Sequence, residues 1–217
     1  SVGETRAAAP LVARFGRDFP DARILLTHMT PTGRATGIEL FGERVDRAWL
    51  PWDAAFAVRR FLARVRPAFG ILLETEIWPN LLAECRSGQV PVFLVNARLS
   101  ARSAAGYARV APLARKALAN LSGIAAQTAD DAARLEGLGA RGVAVTGNIK
   151  FDLDVPDDTE AKATALRALF GEGRRVWVAG STREGEEALL VEAIEAAGLD
   201  PDILVVVVPR HPQRFDE

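Results

Sequence analysis

The chain has 217 residues, of which 49% are apolar and 25% charged, and its formal net charge is −1. This balance is typical of a soluble globular protein and argues against nucleic acid as a partner. Cys85 is the only cysteine, so a disulfide framework and a thiolate metal cluster are excluded, and no metal or cofactor is expected. The longest aliphatic run, residues 203–208, is far shorter than the roughly 20 residues that span a bilayer.

Short apolar runs rich in Val, Ile and Leu alternate with longer stretches of helical periodicity. This alternation predicts β-α-β units and a parallel sheet covered on both faces. The predicted strands lie at 23–28, 70–74, 91–96, 123–127, 142–146, 175–180 and 203–208. The predicted helices lie at 4–18, 53–65, 79–87, 101–119, 129–138, 159–170 and 184–197. The expected fold class is therefore α/β, with Rossmann-like, doubly wound domains.

A change of composition divides the chain. Residues 151–160 are polar, acidic and contain proline, and a new β-α alternation begins after them. Such segments commonly separate domains. We therefore predict one domain over residues 1–150 and the start of a second over residues 151–217.

Two glutamates end the predicted strand 70–74. In an open parallel sheet the ligand crevice lies outside the carboxyl ends of the strands. Glu74 and Glu76 are two residues apart, and strand periodicity would point both side chains the same way. Alternatively, Pro79 begins a helix and the two acids stabilise its positive N-terminus. Position alone leaves both interpretations open.

Three segments match the capping-box pattern of a helix N-terminus: Ser1–Glu4, Thr128–Asp131 and Ser181–Glu184. Capping is the simplest interpretation of all three. The third includes a glycine turn from Gly180 to Arg183. A helix that begins beneath such a turn could also bind a phosphate.

Eight motifs occur along the chain in this order: SVGE, MTPTG, ETEIWPNLL, NARLSARS, QTADDAARL, GNIKFD, STREGEE and PRHPQRF. In order and spacing they resemble the Kdo transferases, which move 3-deoxy-D-manno-octulosonic acid (Kdo) from CMP-Kdo to the lipid A precursor. The resemblance covers nearly the whole chain. It implies the GT-B architecture, in which two Rossmann-like domains face each other across a cleft, with the acceptor on the N-terminal domain and the nucleotide on the C-terminal one.

The resemblance also implies that this chain lacks both ends of a family member. The expected missing parts are a hydrophobic N-terminal anchor with a first strand, and further nucleotide-binding strands at the C-terminus. Residues 1–217 alone are then expected to be inactive. The complete protein is expected at the cytoplasmic face of the bacterial inner membrane, with CMP-Kdo, the lipid A precursor and the membrane surface as its partners.

Catalytic roles follow from the same resemblance. The family's general base is the glutamate of the SVGE motif, here Glu4, which would take the proton of the acceptor hydroxyl. GT-B enzymes typically hold the departing phosphate with a helix N-terminus and basic side chains in place of a metal. The matching residues are Ser181, Thr182, Arg210 and His211. Family members usually have His where this chain has Arg183.

The remaining polar residues of the motifs are predicted to bind substrate. Carboxylates accept hydrogen bonds from sugar hydroxyls, so Glu76 is the first choice for holding the sugar and Glu74 the second. Arg98 and Arg102 could hold an acceptor phosphate, with a solvated surface as the alternative. Lys150 could reach the Kdo carboxylate or cap a strand end.

Two other functions stay open from the sequence. One is a different GT-B enzyme acting on a nucleotide sugar, such as a hexosyltransferase or an epimerase. The other is a non-catalytic, two-lobed sugar-binding protein, which would bind its ligand without turnover. A trial of donors distinguishes these functions, because only CMP-Kdo should be consumed by a Kdo transferase.

Overall fold

The computed structural model describes residues 1–152 and 158–215. The chain forms two compact units, Ser1–Asp154 and Val155–Glu217. In both units β-strands alternate with α-helices, and every strand pairing is parallel. The predicted α/β fold class is therefore confirmed. The assignment of the units as acceptor and donor domains stays a prediction.

Unit 1 contains two parallel sheets. The first pairs β1 (Leu25–His28) with β2 (Asp46–Trp49). The second has the order β3 (Gly70–Leu73), β4 (Val92–Ala97), β5 (Gly123–Ala126) and β6 (Val143–Val145). Because the strands are parallel, the loops that follow them leave each sheet at one edge. That edge carries the predicted substrate residues.

The described helices of unit 1 are α1 (Val2–Ala7), α2 (Ala9–Asp18), α3 (Pro31–Phe41), α4 (Ala55–Val65), α5 (Pro79–Ser87), α6 (Ala101–Ala108), α7 (Ala111–Leu118) and α8 (Ala129–Gly137). The predicted helices 4–18 and 101–119 are each divided in two. Pro10 and Pro112 stand in the first turns of α2 and α7. Proline cannot donate the backbone hydrogen bond that would continue the preceding helix.

Strand β2 and helix α3 were not predicted. The sequence of β2, DRAW, has no apolar run, and α3 contains Gly33 and Gly37, which are poor helix formers. These glycines instead allow close packing. A Cβ at Gly37 would lie 2.8 Å from His28 Cε1, and one at Gly33 would lie 3.3 Å from the carbonyl carbon of Ser1. Tertiary contacts therefore decide the structure of this segment.

The core of unit 1 consists of three apolar clusters. The largest packs β4 and β5 against α7 and α8, with Leu94, Leu118 and Leu135 almost fully buried. The second includes Val58 of α4 and Leu82 of α5. The third packs Ala8 against Phe41 and Val45.

Unit 2 contains α9 (Thr159–Phe170), β7 (Val176–Thr182), α10 (Glu186–Ala197), β8 (Leu204–Pro209) and a 3₁₀ turn (Pro212–Arg214). Strands β7 and β8 pair in parallel, and the register shifts between Gly180 and Thr182. Throughout residues 1–152 and 158–215, helices fall short of the length and apolar character needed to cross a lipid bilayer.

The capping box predicted at Ser181–Glu184 is wrong. Ser181 belongs to β7 and has a φ of +62° at the register shift. Helix α10 begins at Glu186, and its N-cap is Gly185, which has a φ of +86°. Glycine adopts this left-handed conformation without the steric cost that other residues meet. Ser181 and Thr182 consequently precede the helix and are not part of its first turn.

Candidate functional site

Glu4 lies in the first turn of α1 and closes the predicted capping box. The Ser1 hydroxyl accepts a hydrogen bond from the Glu4 N–H at 3.4 Å, and the Ser1 backbone nitrogen donates to Glu4 Oε2 at 2.8 Å. The Glu4 side chain remains 27% exposed. Its carboxylate is thus oriented by the cap and still open to a substrate.

The N-terminus of α3 packs directly against α1. The buried Thr5 hydroxyl contacts the carbonyl oxygens of Ser1, at 2.9 Å, and Gly33, at 3.4 Å. The hydroxyl of Thr30, the N-cap of α3, accepts from the Gly33 N–H at 3.1 Å. The SVGE and MTPTG motifs therefore form one packed structure, with Glu4 beside the first turn of α3.

Glu74 and Glu76 lie beyond the end of β3, which stops at Leu73. Glu74 has a φ of +61°, so strand periodicity does not apply and the expectation that both side chains point the same way has no basis here. The Glu74 N–H donates to the Val95 carbonyl at 3.0 Å. Glu76 Oε2 accepts from the Trp78 indole N–H at 2.9 Å. Both glutamates are half-buried.

Pro79 begins α5 as predicted, but the acid that caps this helix is Asp53. Its carboxylate accepts from the N–H groups of Asn80, at 3.1 Å, and Leu81, at 2.8 Å. The alternative role proposed for Glu74 and Glu76, stabilisation of the α5 N-terminus, is therefore filled by another residue. Asp53 lies 27 residues before Asn80, so no local sequence pattern indicates this capping role.

Asn96, at the end of β4, connects three of the motifs. Its side chain is 1% exposed and its φ is +56°. Its Oδ1 accepts from the Ile149 N–H at 3.2 Å, and its carbonyl accepts from Gln127 Nε2 at 3.0 Å. Its Nδ2 is buried and has no hydrogen-bond partner among the described residues. NARLS, QTADD and GNIKFD therefore meet at the buried residue Asn96, through its side-chain amide and its backbone carbonyl.

Asp131 and Arg134 of α8 both form hydrogen bonds to the backbone of Leu99, and we call this pair of contacts the clamp. Asp131, 6% exposed, accepts from the Leu99 N–H at 2.8 Å and from the Thr128 hydroxyl at 2.6 Å. Arg134 Nη1 donates to the Leu99 carbonyl at 3.2 Å. Burial alone would raise the pKa of the Asp131 carboxyl, but the hydrogen bonds from Thr128 and Leu99, with Arg134 and Arg98 nearby, hold it below its usual value.

This clamp fixes the segment that joins β4 to α6, next to two predicted substrate residues. Arg98 precedes Leu99, Arg102 is the second residue of α6, and both are exposed. Ser100 caps α6 by accepting from the Ser103 N–H at 3.1 Å. Within the described chain, neither arginine forms an ion pair with a carboxylate. Both cations are thus open to a ligand, as the phosphate interpretation requires.

Lys150 lies in the 3₁₀ turn Ile149–Asp152 and is exposed. Its backbone N–H is held by Asn148 Oδ1 at 3.0 Å. The side chain therefore projects from an anchored turn. Among the described residues, no hydrogen bond joins the Lys150 side chain to Glu4 or Glu76.

In unit 2 the ends of β7 and β8 carry the predicted donor residues. The Arg210 N–H donates to the Thr182 carbonyl at 2.8 Å, which joins the two loops. Ser181, Arg210 and His211 are exposed, whereas Thr182 is buried. The Arg183 N–H at the start of the loop donates to Glu186 Oε2 at 2.8 Å. The Glu186 carboxylate thus already accepts a hydrogen bond from the Arg183 N–H, one of the backbone donors that a phosphate would use.

A second contact connects the same two motifs. Arg214 Nη1 donates to Glu187 Oε1 at 3.1 Å. The Thr182 hydroxyl lies near this carboxylate without completing an aligned hydrogen bond, and Thr182 and Arg214 together lower the pKa of Glu187 to about 2. Over the described residues, no cluster of three His, Cys, Asp or Glu side chains could hold a metal ion.

The fold and the position of these loops define a GT-B-like α/β protein. A solved UDP-GlcNAc 2-epimerase from Neisseria meningitidis, bound to UDP-GlcNAc, superimposes with a TM-score of 0.65 at 16% identity, over 98% of this chain and 64% of that one. The UDP-N-acetylglucosamine 2-epimerase from Rickettsia bellii superimposes with a TM-score of 0.53 at 14% identity, over 99% and 62%. At these identities the likeness concerns the fold alone.

Sequence relatives define the family. A family model described as 3-deoxy-D-manno-octulosonic-acid transferase (kdotransferase) matches residues 1–153, and the chain belongs to this family. The 3-deoxy-D-manno-octulosonic acid transferase of Bordetella pertussis is 48% identical over all of this chain and 52% of the relative. The transferase of the same name from Haemophilus influenzae is 38% identical, over 100% and 51%. The chain thus spans about half the length of these curated relatives, and the resemblance inferred from the motifs is confirmed.

Proposed function

We propose that the complete protein is an inverting glycosyltransferase that moves Kdo from CMP-Kdo to the lipid A precursor. The observation that carries this proposal is the family match over residues 1–153. That segment contains the Glu4 cap and the carboxylate loop at Glu76. The names of the two relatives, each aligned over the whole of this chain, support the same activity.

The proposed reaction needs one base and one stabilised leaving group. An acceptor hydroxyl oxygen forms a bond to the anomeric carbon of Kdo while the bond from that carbon to the CMP phosphate oxygen breaks. CMP leaves with the electron pair, and the hydroxyl proton passes to the Glu4 carboxylate. Attack from the face opposite to CMP inverts the anomeric configuration. Partial burial and the cap contact favour a fixed orientation of Glu4.

The substrate roles are assigned by position at the strand ends. Glu76, and after it Glu74, accept hydrogen bonds from sugar hydroxyls next to β3. Arg98 and Arg102 hold an acceptor phosphate next to β4, and Lys150 binds the Kdo carboxylate. Ser181, Thr182, Arg210 and His211 hold the CMP phosphate next to β7 and β8. Support comes from the exposure of these cations and from the hydrogen-bonded clamps beneath the unit 1 loops.

The acceptor is a lipid, so we place the complete protein at the cytoplasmic face of the bacterial inner membrane, held there by an N-terminal anchor. Unit 1 is assigned to the acceptor and unit 2 to CMP-Kdo. The membrane location is tested by sedimentation. The full-length protein and a form that lacks its first segment are each mixed with detergent-free membranes, and only the form with the anchor should sediment with them.

A transfer assay on the complete protein tests the proposed activity. CMP-Kdo and the lipid A precursor are incubated with the enzyme, and product mass, CMP release and anomeric configuration are measured. Equal amounts of CMP and of Kdo-bearing lipid, with an inverted anomeric centre, are expected. Tight binding of CMP-Kdo without turnover would instead identify a binding protein.

A second activity is tested in the same experiment because of the fold likeness to UDP-GlcNAc 2-epimerases. UDP-GlcNAc is incubated with the protein, and the configuration at C2 is followed by NMR. A Kdo transferase should leave UDP-GlcNAc unchanged. Conversion to the C2 epimer would replace the proposed function with the alternative.

A further inference from the structure

Arg34 stands in the first turn of α3, next to the contact between α3 and α1. The neighbouring Gly33 packs against Ser1, and Gly37 packs one turn later against His28. The Arg34 guanidinium carbon lies 5.3 Å from the centroid of the Trp49 ring. Stacking of this kind restricts a guanidinium to one plane. Arg34 is therefore held in position beside Trp49, one residue from the contact between Gly33 and Ser1.

One guanidinium nitrogen of Arg34 is left unpaired by the described residues. Its Nη1 is shielded from solvent and has no hydrogen-bond partner among the described residues. In the same part of the chain no carboxylate forms an ion pair with it, and Glu4 Oε2 is engaged by the Ser1 nitrogen at 2.8 Å. Arg47 of β2 donates to the Gly42 carbonyl. Buried donors without partners are rare in folded proteins and require an explanation.

His28 is a second buried polar residue close to Arg34. It pairs with Trp49 across the β1–β2 register, is 5% exposed, and has a buried Nε2 without a partner in the described residues. Burial lowers the pKa of His28, and the charges of Arg34 and Arg47 lower it further. A histidine side chain is either uncharged or positive, so His28 cannot serve as the counter-ion of Arg34 in either protonation state.

We propose that Arg34 is a substrate-binding residue that holds an anionic oxygen group, a phosphate of the acceptor, beside Glu4. A planar guanidinium matches a phosphate with two parallel hydrogen bonds. The acceptor is favoured over the donor because Arg34 follows Gly33, which packs against Ser1, and the Ser1 nitrogen contacts the base Glu4. The inference rests on the proposed function and adds a second anion contact, distinct from Arg98 and Arg102.

The test compares phosphorylated and dephosphorylated acceptors on the complete enzyme. Arg34→Gln should raise the acceptor KM about 10- to 100-fold, the scale of a lost charge-assisted hydrogen bond, with an unchanged KM for CMP-Kdo. The preference of the wild type for the phosphorylated acceptor should fall by the same factor. Arg17→Gln is the matched control, because Arg17 is exposed on α2. It should behave as wild type.

A binding measurement keeps the inference independent of turnover. The probe is a phosphorylated glucosamine disaccharide without acyl chains, titrated by calorimetry into the wild type, Arg34→Gln and Arg34→Lys. Weaker binding to Arg34→Gln, with an intermediate value for Arg34→Lys, is expected. Trp49→Ala should weaken binding as well, and Trp49→Phe, which keeps the aromatic face, should not. Melting temperatures verify that each variant is folded.

Three results have distinct meanings. Equal affinity of the wild type and folded Arg34→Gln for the disaccharide overturns the inference, whether or not transfer is observed. A rise in the KM for CMP-Kdo with an unchanged acceptor KM overturns the assignment to the acceptor. Absence of transfer by the wild type, with binding that still depends on Arg34, contradicts the proposed function and leaves the anion contact in place.

Discussion

Glu4 combines a structural contact with the proposed chemical role. Glutamine at position 4 can still accept a hydrogen bond from the Ser1 nitrogen, so the capping box loses little. It cannot take up a proton at working pH. We therefore expect Glu4→Gln to lower kcat by about 10²- to 10⁴-fold with a nearly unchanged melting temperature. Steady-state kinetics and thermal unfolding of the complete enzyme measure the two effects.

Ser1→Ala should have the opposite effects, a lower stability and a nearly unchanged kcat. It removes the hydroxyl that accepts from the Glu4 N–H and leaves the carboxylate. A loss of about 0.5–2 kcal/mol of stability is expected, with kcat largely retained. Near-wild-type turnover by Glu4→Gln would contradict the general-base role and leave Glu4 with only a helix-capping role.

Glu76 and Trp78 share one hydrogen bond but have different predicted tasks. Glutamine at position 76 can still accept from the Trp78 indole N–H, so Glu76→Gln should preserve the loop. It should weaken transfer by about 1.5–3 kcal/mol, the value of a hydrogen bond to a charged group. Trp78 packs against the cluster of Val58 and Leu82, and Trp78→Ala should cost about 3 kcal/mol of stability. Measurements of kcat/KM and of urea unfolding are made on both variants. If Glu76→Gln lowered stability and Trp78→Ala lowered activity instead, Glu76 would be the structural residue and Trp78 the substrate-binding one.

At the scale of elements, the clamp between α8 and the loop after β4 depends on an ionised Asp131. Its pKa is depressed in the folded protein, so its contribution to stability is present in full above the unfolded pKa of about 4. The contribution is lost as the pH falls through the folded pKa. Asp131→Asn should therefore cost about 1–2 kcal/mol at pH 7, and less as the solution is acidified below pH 4.

Urea unfolding at several pH values measures this difference. Asp130→Asn is the matched control, because Asp130 contacts the same Arg134 at 3.1 Å but its side chain is 80% exposed. Exposed pairs contribute little, so the control should unfold like the wild type at every pH. A penalty for Asp131→Asn that is equally large at pH 2 and pH 7 would show that packing, and not charge, carries the clamp.

The predictable elements are those whose signal is local. The apolar runs of β3, β4 and β8 and the periodicity of α5 and α8 suffice to identify them. The predicted helices 4–18 and 101–119 run through Pro10 and Pro112, where the structure divides them, although the missing proline N–H is a local signal. Strand β2 and helix α3 lack such signals. Their conformation depends on the close contacts of Gly33 and Gly37, which no local pattern reveals.

The same division applies to the candidate site. Motif residues such as Glu4 and Glu76 are recognisable because they follow strands or begin helices. The supporting contacts of Asp53, Asn96 and Asp131 are not, because the backbone groups that these side chains bind lie 28, 53 and 32 residues away in the sequence. Their role becomes visible only when the loops at the carboxyl edge are brought together. The exposed groups of the candidate site can thus be predicted from the sequence, whereas the residues that support them are identified only in the structure.

For the whole molecule, burial is distributed unequally between the two units. The buried hydrophobic residues among those described all lie at or before Ile149. In the described part of unit 2, Thr182 is the buried residue, and large apolar side chains are exposed at Leu166, Leu169, Trp177, Val178, Leu189 and Val191. A two-stranded sheet with two helices offers little surface to bury. Stability of the 217-residue chain therefore resides in unit 1.

This asymmetry predicts that the 217-residue chain unfolds in two steps. Amides of β7 and β8 should exchange with deuterium far faster than those of β4 and β5, because their opening exposes little additional apolar surface. Leu82→Ala, at a site with 0% exposure, should cost about 2–5 kcal/mol and speed exchange in unit 1 alone. Leu204→Ala should affect β7 and β8 alone. Hydrogen exchange followed by mass spectrometry separates the two units, and equal protection in both, lost together in Leu82→Ala, would show that they fold as one cooperative structure.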